Sequence, residues 1–391
     1  IKKYPGSLEI IKGVHAFTNK KSTAISGIKI IDSKKFSITL NNSFVNLPEI
    51  LSDLTLSIVP TTFEKNIKNG MYIGSGPYKL TSNTPEKIEL DFFENYYEKN
   101  IKIKKINFLV LKTESEFSKL QKNDEIDHSH PFDINLSTDK NWIDYSFLNA
   151  SVHFMSFNPD KNEVKDLETR KLLISLLDIE EIQKNLSPDQ HYPISHFIPL
   201  GLPGYIPEKW ANPYSKEYSA QKIKSIRFDT PIIITNYLPD EKYKTISNTI
   251  CNTWKKYGIA CETKFVDLDQ AIKIIRRKNH QVLIGKFIPD IPDTSQVLSF
   301  FRTDNHIPVF NINDLKVDEM LSRAMKNPSG QMRTDYYRVI NRLIFEHYSV
   351  IPLQYGGRKT HFIKSKFIMP ELDVTGPYFL RMKNISTKKP N

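Results

Sequence analysis

The strongest constraint on the fold is an alternation of predicted strands and helices between residues 230 and 287. Residues 230–235, Thr-Pro-Ile-Ile-Ile-Thr, form a β-branched run that is typical of a buried strand. A helix capped by Asp240 and ended by Gly258 is predicted next. Apolar residues recur within it at three- and four-residue spacing: Tyr243, Ile246, Ile250, Trp254 and Tyr257.

The same alternation continues with a strand at 261–266, a helix at 267–278 and a strand at 281–287. Ile272 and Ile275 are predicted to face inward from that second helix. Strands separated by helices of this length pair in parallel through right-handed crossovers. The pattern therefore predicts an α/β fold.

Further helices are predicted at 166–186, 314–326 and 331–347 from their apolar spacing. The last of these leads into a strand at 350–355, where Pro352 indicates a sheet edge or a bulge because proline cannot donate to the ladder. The first 150 residues instead show short alternating runs at 27–31, 36–40 and 87–92, which predict a more β-rich unit with a border near Ala150.

The positive charge does not indicate a nucleic-acid binder. The net charge is +11, but lysines and arginines are spread along the chain in pairs, whereas a nucleic-acid surface concentrates them on one element. We therefore predict a solvated basic surface and no nucleic-acid partner. No apolar run reaches the roughly 18 residues that a bilayer crossing needs. The sequence opens at Ile1 without a charged-then-apolar segment, so we expect any signal peptide to lie outside it.

The two cysteines, Cys251 and Cys261, are too few for a disulfide framework and have no metal-type spacing with histidine. They fall on a predicted helix and the strand after it, so their side chains need not meet. We favour two buried, unpaired thiols. Pairing in an oxidising compartment is the alternative.

Motifs for catalysis are absent, and no cofactor is expected. The chain has no nucleophile elbow, His-Glu-x-x-His, phosphate loop or dinucleotide fingerprint. Gly74-Ser75-Gly76 is followed by Pro77, which favours a tight turn over a phosphate site. His128 and His130 could offer imidazoles to a metal, but the Asp and Pro residues around them favour an exposed loop. His191 and His196 flank a proline-containing stretch and are no stronger candidates, so no metal is predicted.

The favoured ligand-binding segment is 287–293, Phe-Ile-Pro-Asp-Ile-Pro-Asp, just beyond the carboxyl end of a predicted central strand. Ligands bind at that end of open α/β sheets, so we predict contacts from Phe287, Ile288, Pro289 and Asp290. A carboxylate there can pair with a ligand ammonium. Asp290 could instead be a turn former. For Asp293, a helix cap is the favoured role.

Several motifs together resemble the extracytoplasmic peptide-binding proteins of ABC importers, a family with nickel- and oligosaccharide-binding members. They are Gly-Ser-Gly-Pro-Tyr at 74–78 with Asn-Tyr-Tyr at 95–97, Phe-Met-Ser-Phe-Asn at 154–158 with Glu-Thr-Arg at 168–170, and Gly-Leu-Pro-Gly-Tyr at 201–205. Residues 287–293 are similar to the family's Trp-x-Ala-Asp-Tyr-Pro-Asp segment, with Phe287 in place of the tryptophan. In the family's dipeptide and oligopeptide binders, the first aspartate of that segment receives the peptide's amino terminus, and the resemblance assigns this position to Asp290.

This resemblance implies a two-lobed, type II periplasmic-binding-protein-like fold with a hinge. It implies lobe I at 71–149 with a return at 366–391, lobe II at 150–365, and the remnant of a small β-rich domain at 1–70. By the same resemblance, we expect that the family's N-terminal portion is missing from this sequence. It also implies a monomeric, non-enzymatic binding protein, periplasmic or attached to the cell surface, that delivers a short peptide or similar cationic solute to an ABC permease. A ligand-sensing effector domain of a regulator is the alternative.

Overall fold

The computed structural model describes residues 8, 10–51, 56–129, 141–148, 150–186, 193–289, 293–305, 308–356, 358–368, 383 and 385–387. The described strands are β1 (Ile28–Asp32), β2 (Lys35–Ile38), β3 (Tyr78–Asn83), β4 (Lys87–Phe92), β5 (Lys105–Leu109), β6 (His128–Ser129), β7 (Trp142–Leu148), β8 (Val152–Phe157), β9 (Ile232–Asn236), β10 (Cys261–Phe265), β11 (Val282–Phe287), β12 (Val350–Tyr355), β13 (Arg358–Lys364), β14 (Phe367–Ile368) and β15 (Ser386–Thr387).

The described α-helices are α1 (Val14–Thr18), α2 (Leu47–Leu51), α3 (Phe63–Lys68), α4 (Glu114–Lys122), α5 (Leu167–Ser175), α6 (Ile179–Leu186), α7 (Lys216–Lys222), α8 (Glu241–Lys256), α9 (Leu268–Arg276), α10 (Thr294–Ser299), α11 (Leu315–Lys326) and α12 (Gly330–Glu346). Two compact units divide the chain. The first contains Ile1–Ile50 and Ala150–Gly357, and the second contains Leu51–Asn149 and Arg358–Asn391.

The first unit is built on a five-stranded sheet in the order β10-β9-β11-β8-β12. Strands β10, β9 and β11 are parallel, as predicted, whereas β8 is antiparallel to both β11 and β12. Strand β12 lies at the sheet edge and its register shifts between Pro352 and Gln354, so both features expected from Pro352 are confirmed.

Helices cover both faces of this sheet because neighbouring residues of each central strand point to opposite sides. Val282 and Ile284 of β11 face a core cluster with residues of α5, α6 and α8, while Leu283 and Phe287 face a cluster with residues of α9 to α12. The strands are thus buried on both faces, as their near-continuous apolar sequences require.

Helix α8 forms as its sequence pattern predicts. Tyr243, Ile246, Ile250 and Trp254 are buried on one side of it, and Gly258 has the left-handed φ of 82° that ends a helix without steric cost. Asp240 occupies the N-cap position, but its side chain makes no capping hydrogen bond. On α9, Ile275 is buried and Ile272 is half-buried.

Two sequence predictions in this unit are wrong. The helix predicted at 166–186 is two helices, α5 and α6, because the Asp178 side chain accepts a hydrogen bond from the Glu181 backbone N–H (2.9 Å) and begins a new helix. Cys251 and Cys261 are bonded as a disulfide rather than left as thiols. The start of β10 lies beside α8, which brings their Cα atoms to 5.4 Å, within the usual range for a disulfide.

The second unit is β-rich. It contains the antiparallel sheet β3-β4-β5 and the sheet β6-β13-β7, in which a strand from after residue 357 pairs with strands from before residue 150. Buried Lys364 at the end of β13 forms an ion pair with Asp124 at 2.5 Å. The predicted small-domain remnant stays a prediction; residues 1–50 group with the first unit.

Candidate functional site

The candidate site lies at the carboxyl ends of β9 and β11, which are parallel neighbours in the five-stranded sheet. The chain leaves β9 into α8, whose Ile250 and Trp254 pack on one face of the sheet. It leaves β11 toward α10, whose Val297 and Leu298 pack on the opposite face. Two neighbouring strands whose connections diverge in this way leave a crevice at their carboxyl ends, which is where α/β folds bind ligands.

The structure places the predicted residues of segment 287–293 in different surroundings. Phe287 is the last residue of β11, and its buried ring packs 4.3 Å from that of Phe300 and 6.4 Å from that of Phe197, measured between centroids. Ile288 is 37% exposed and Pro289 is buried. Asp290 lies outside the described residues. Ile288 is therefore the described member of the set that offers its side chain to solvent.

Asp293 at the far end of the segment caps α10, as predicted. Its carboxylate accepts hydrogen bonds from the Ser295 backbone N–H (2.7 Å) and from the Ser295 hydroxyl. The side-chain amide of Asn46 also donates to this carboxylate. The next residue, Thr294, donates its hydroxyl to the Pro203 carbonyl at 2.7 Å. The end of the segment is thus held by parts of the chain far away in sequence.

At the end of β9, two consecutive residues turn the chain away from the sheet. The buried amide of Asn236 accepts from the Leu238 backbone N–H (2.8 Å) and donates to Ser247 of α8 (3.0 Å). Tyr237 follows, and its hydroxyl contacts the Lys286 backbone. Burial raises the pKa of Tyr237, which keeps this hydroxyl protonated and able to donate.

A buried polar network lies at the same edge, on the face covered by α8. The Tyr243 hydroxyl donates to Gln354 Oε1 at 2.9 Å and is hydrogen-bonded to His153 Nδ1. Tyr243 has one proton to give, so the proton on His153 resides on Nδ1 and points to the tyrosine oxygen. Burial, with smaller effects from the charges of Lys286 and Lys242, lowers the pKa of His153 to about 3. The imidazole is therefore neutral near pH 7.

The histidines considered for metal binding are not assembled into a site where the structure describes them. His196 is buried and its Nδ1 lies 2.6 Å from the Ser195 hydroxyl; burial lowers its pKa to about 4. His128 lies in strand β6 and is half-buried, so the exposed loop expected there is wrong for this residue; His130 and His191 lie outside the described residues. Among the residues that are described, no group of three histidine, cysteine, aspartate or glutamate side chains could hold a metal ion.

Three residues of this edge were not predicted from the sequence: Asn46, His153 and Tyr237. Tyr237 could have been found, because it directly follows a predicted strand that neighbours β11. Asn46 lies 247 residues before its partner Asp293, and no local pattern connects the two. His153 is part of a buried strand whose other residues gave no sign of a polar partner.

Comparison with known proteins agrees with this architecture. A family model described as bacterial extracellular solute-binding proteins, family 5 middle region, matches residues 5–308. The oligopeptide-binding protein OppA of Bacillus subtilis is 24% identical over 328 residues, which are 77% of this chain and 60% of that protein. The chain thus spans about three fifths of that relative's length.

Solved structures of peptide-binding proteins share the fold at low identity. The murein tripeptide binding protein MppA of Escherichia coli superposes with a TM-score of 0.71 at 18% identity, covering 98% of this chain and 79% of that one. A dipeptide binding protein from Pseudoalteromonas, in complex with Met-Leu, gives a TM-score of 0.71 at 14% identity, with coverages of 98% and 82%.

The fold and the family match lead to one conclusion about class. The chain belongs to the family 5 bacterial extracellular solute-binding proteins. Its fold is the two-lobed, type II periplasmic-binding-protein fold that the sequence resemblance implied. Within the part of the chain that the structure describes, none of the helices combines the length and apolar character of a membrane span.

Proposed function

We propose that the protein captures a short peptide or similar cationic solute outside the cytoplasm and delivers it to an ABC permease. Asp290 anchors the ligand's amino group in this proposal, and Phe287, Ile288 and Pro289 shape the adjoining wall. The observation that supports the proposal is the divergence of the chain at the carboxyl ends of the neighbouring strands β9 and β11, where β11 ends at Phe287. The relatives' names favour this role over that of a regulator or an enzyme.

The proposed location is periplasmic or at the cell surface. The family is one of extracellular proteins. The disulfide between Cys251 and Cys261 supports the same location, because disulfides persist in oxidising compartments and are rare in the cytosol.

We propose hinge closure of a monomer as the mode of capture. The chain passes between its two compact units at 50–51, 149–150 and 357–358, so few backbone positions need to change for the units to move as bodies. A ligand then holds the closed state to the extent that it binds that state more tightly than the open one.

Isothermal titration calorimetry tests the role of Asp290. The best-bound sequence from a tripeptide library is titrated in its free and N-acetylated forms into the wild type and Asp290→Ala. Loss of a charge-assisted hydrogen bond should weaken binding of the free form by about 10- to 100-fold, with little effect on the acetylated form.

Asp229→Ala is the matched control for that experiment. Asp229 is an exposed aspartate beside Arg227, before the start of β9 and therefore at the opposite edge of the sheet. The Asp229→Ala substitution removes the same charge from the same compact unit as Asp290→Ala does. Equal affinities of Asp290→Ala and Asp229→Ala for the free peptide would refute the anchoring role, and failure of the wild type to bind any library member would refute peptide capture itself.

A further inference from the structure

Strand β11 extends beyond its parallel neighbour at the edge where the proposed ligand site lies. The registered pairs of β11 with β9 end at Ile284 and Asn236, while β11 continues to Phe287. The backbone N–H and C=O groups of Lys286 therefore lie past the last partner that β9 provides. Unpaired backbone groups inside a protein are costly, so something else must satisfy them.

The Tyr237 hydroxyl takes the place of the missing strand. The Lys286 N–H donates to the Tyr237 oxygen at 2.9 Å, and the Tyr237 hydroxyl donates to the Lys286 carbonyl at 3.0 Å. One side-chain oxygen thus pairs with both backbone groups of one residue, which fixes the strand immediately before Phe287.

Gly285 makes this arrangement possible. A Cβ atom at this position would lie 2.8 Å from the Tyr237 hydroxyl oxygen and 2.9 Å from Phe154 Cζ, closer than real side chains approach. Because Gly285 has no side chain, the Tyr237 ring lies directly against the backbone of β11. Tyr237 also packs on the core cluster that contains Phe287 and Phe154, so its position is set by packing as well as by hydrogen bonds.

We propose that Tyr237 is a positioning residue for ligand capture: by holding the end of β11, its hydroxyl fixes the position of Phe287, from which the chain continues to Asp290. This inference rests on the proposed function of Asp290. The other end of the segment is held by the bonds of Asp293 to Asn46 and Ser295. A binding group supported at both ends pays less ordering entropy when its ligand arrives.

Tyr237→Phe tests the proposal, because it removes the hydroxyl and keeps the ring. The matched control is Tyr205→Phe, since the Tyr205 hydroxyl is also partly buried and also donates to a backbone carbonyl, that of Pro193, at 3.0 Å. Tyr237→Phe should weaken binding of the free tripeptide about 5- to 10-fold and leave the N-acetylated form unchanged. Tyr205→Phe should change neither.

A double variant separates positioning from a general loss of stability. If Tyr237 acts through Asp290, the affinity loss in Tyr237→Phe/Asp290→Asn should equal that of Asp290→Asn alone, because the contact is already gone. Losses that multiply, or wild-type affinity in Tyr237→Phe, would overturn the proposal while leaving peptide capture intact. Failure of the wild type to bind any library member would instead refute the proposed function.

Native-state hydrogen exchange gives a readout that does not depend on a ligand. The Lys286 amide should exchange at least 10-fold faster in Tyr237→Phe than in the wild type, while the amide of Ile284 is unchanged. Unchanged protection of Lys286 would show that the hydroxyl does not hold the strand. If Tyr237→Phe does not fold, Tyr237→His replaces it, because histidine keeps an aromatic ring and a polar hydrogen. The expected result is partial protection of the Lys286 amide from exchange.

Discussion

Removing the disulfide should weaken the first unit by an amount that follows from its loop length. The bond joins Cys251 in α8 to Cys261 at the start of β10, ten residues apart. For a closed loop of this size, the chain-entropy model gives a stabilisation of about 2.7 kcal/mol at 25 °C. In this model the bond acts by restricting the unfolded chain, so contacts in the folded state do not replace it. We expect the free energy of unfolding of the variant Cys251→Ala/Cys261→Ala to be lower than that of the wild type by about that amount.

Urea unfolding followed by circular dichroism measures this loss, with and without a thiol-free reductant. The reduced wild type should unfold at the same urea concentration as the double alanine variant, and the variant itself should be insensitive to the reductant. Both cysteines are buried, so the native fold protects the disulfide from the reductant. The wild type is therefore reduced in urea and then refolded. A wild type whose midpoint is unmoved by reduction, or a variant that reductant also destabilises, would refute the entropic argument.

Three further predictions concern the edge of the sheet and the core beside it. Gly285→Ala should lower the free energy of unfolding by about 1 to 3 kcal/mol, since the added methyl overlaps Tyr237, and thermal melting would show it; an unchanged melting temperature contradicts the crowding. Asp293→Ala should cost about 1 to 2 kcal/mol through the lost cap, against no change in Asp229→Ala in the same urea titration. Burial lowers the pKa of His280 to about 4, below its unfolded value near 6.5, so protons bind the unfolded chain first and stability falls as pH drops through this window. His280→Gln should reduce that fall by about 2 kcal/mol at pH 5, and identical pH profiles would contradict the assignment.

Local pattern was enough to predict most of the first unit. Neighbouring residues determine the apolar spacing of α8, its end at Gly258 and the β-branched strands β9 and β11. This is because helix and strand periods are properties of consecutive side chains. The position of Phe287 to Pro289 at the carboxyl ends of the strands followed from the same alternation, since parallel strands joined by crossover helices have their carboxyl ends on the same side of the sheet. The cap at Asp293 was equally local.

Tertiary structure decided what depends on distance through space. Whether Cys251 and Cys261 could bond was set by how α8 lies on the sheet beside β10, which no spacing rule specifies. The hydrogen bond from Asn46 to Asp293 joins side chains that are 247 residues apart in the sequence, and its geometry exists only once the chain is folded. Tyr237 acquired its role because β9 ends before β11 does. The sequence determined which elements form; packing determined which side chains hold the proposed binding segment in place.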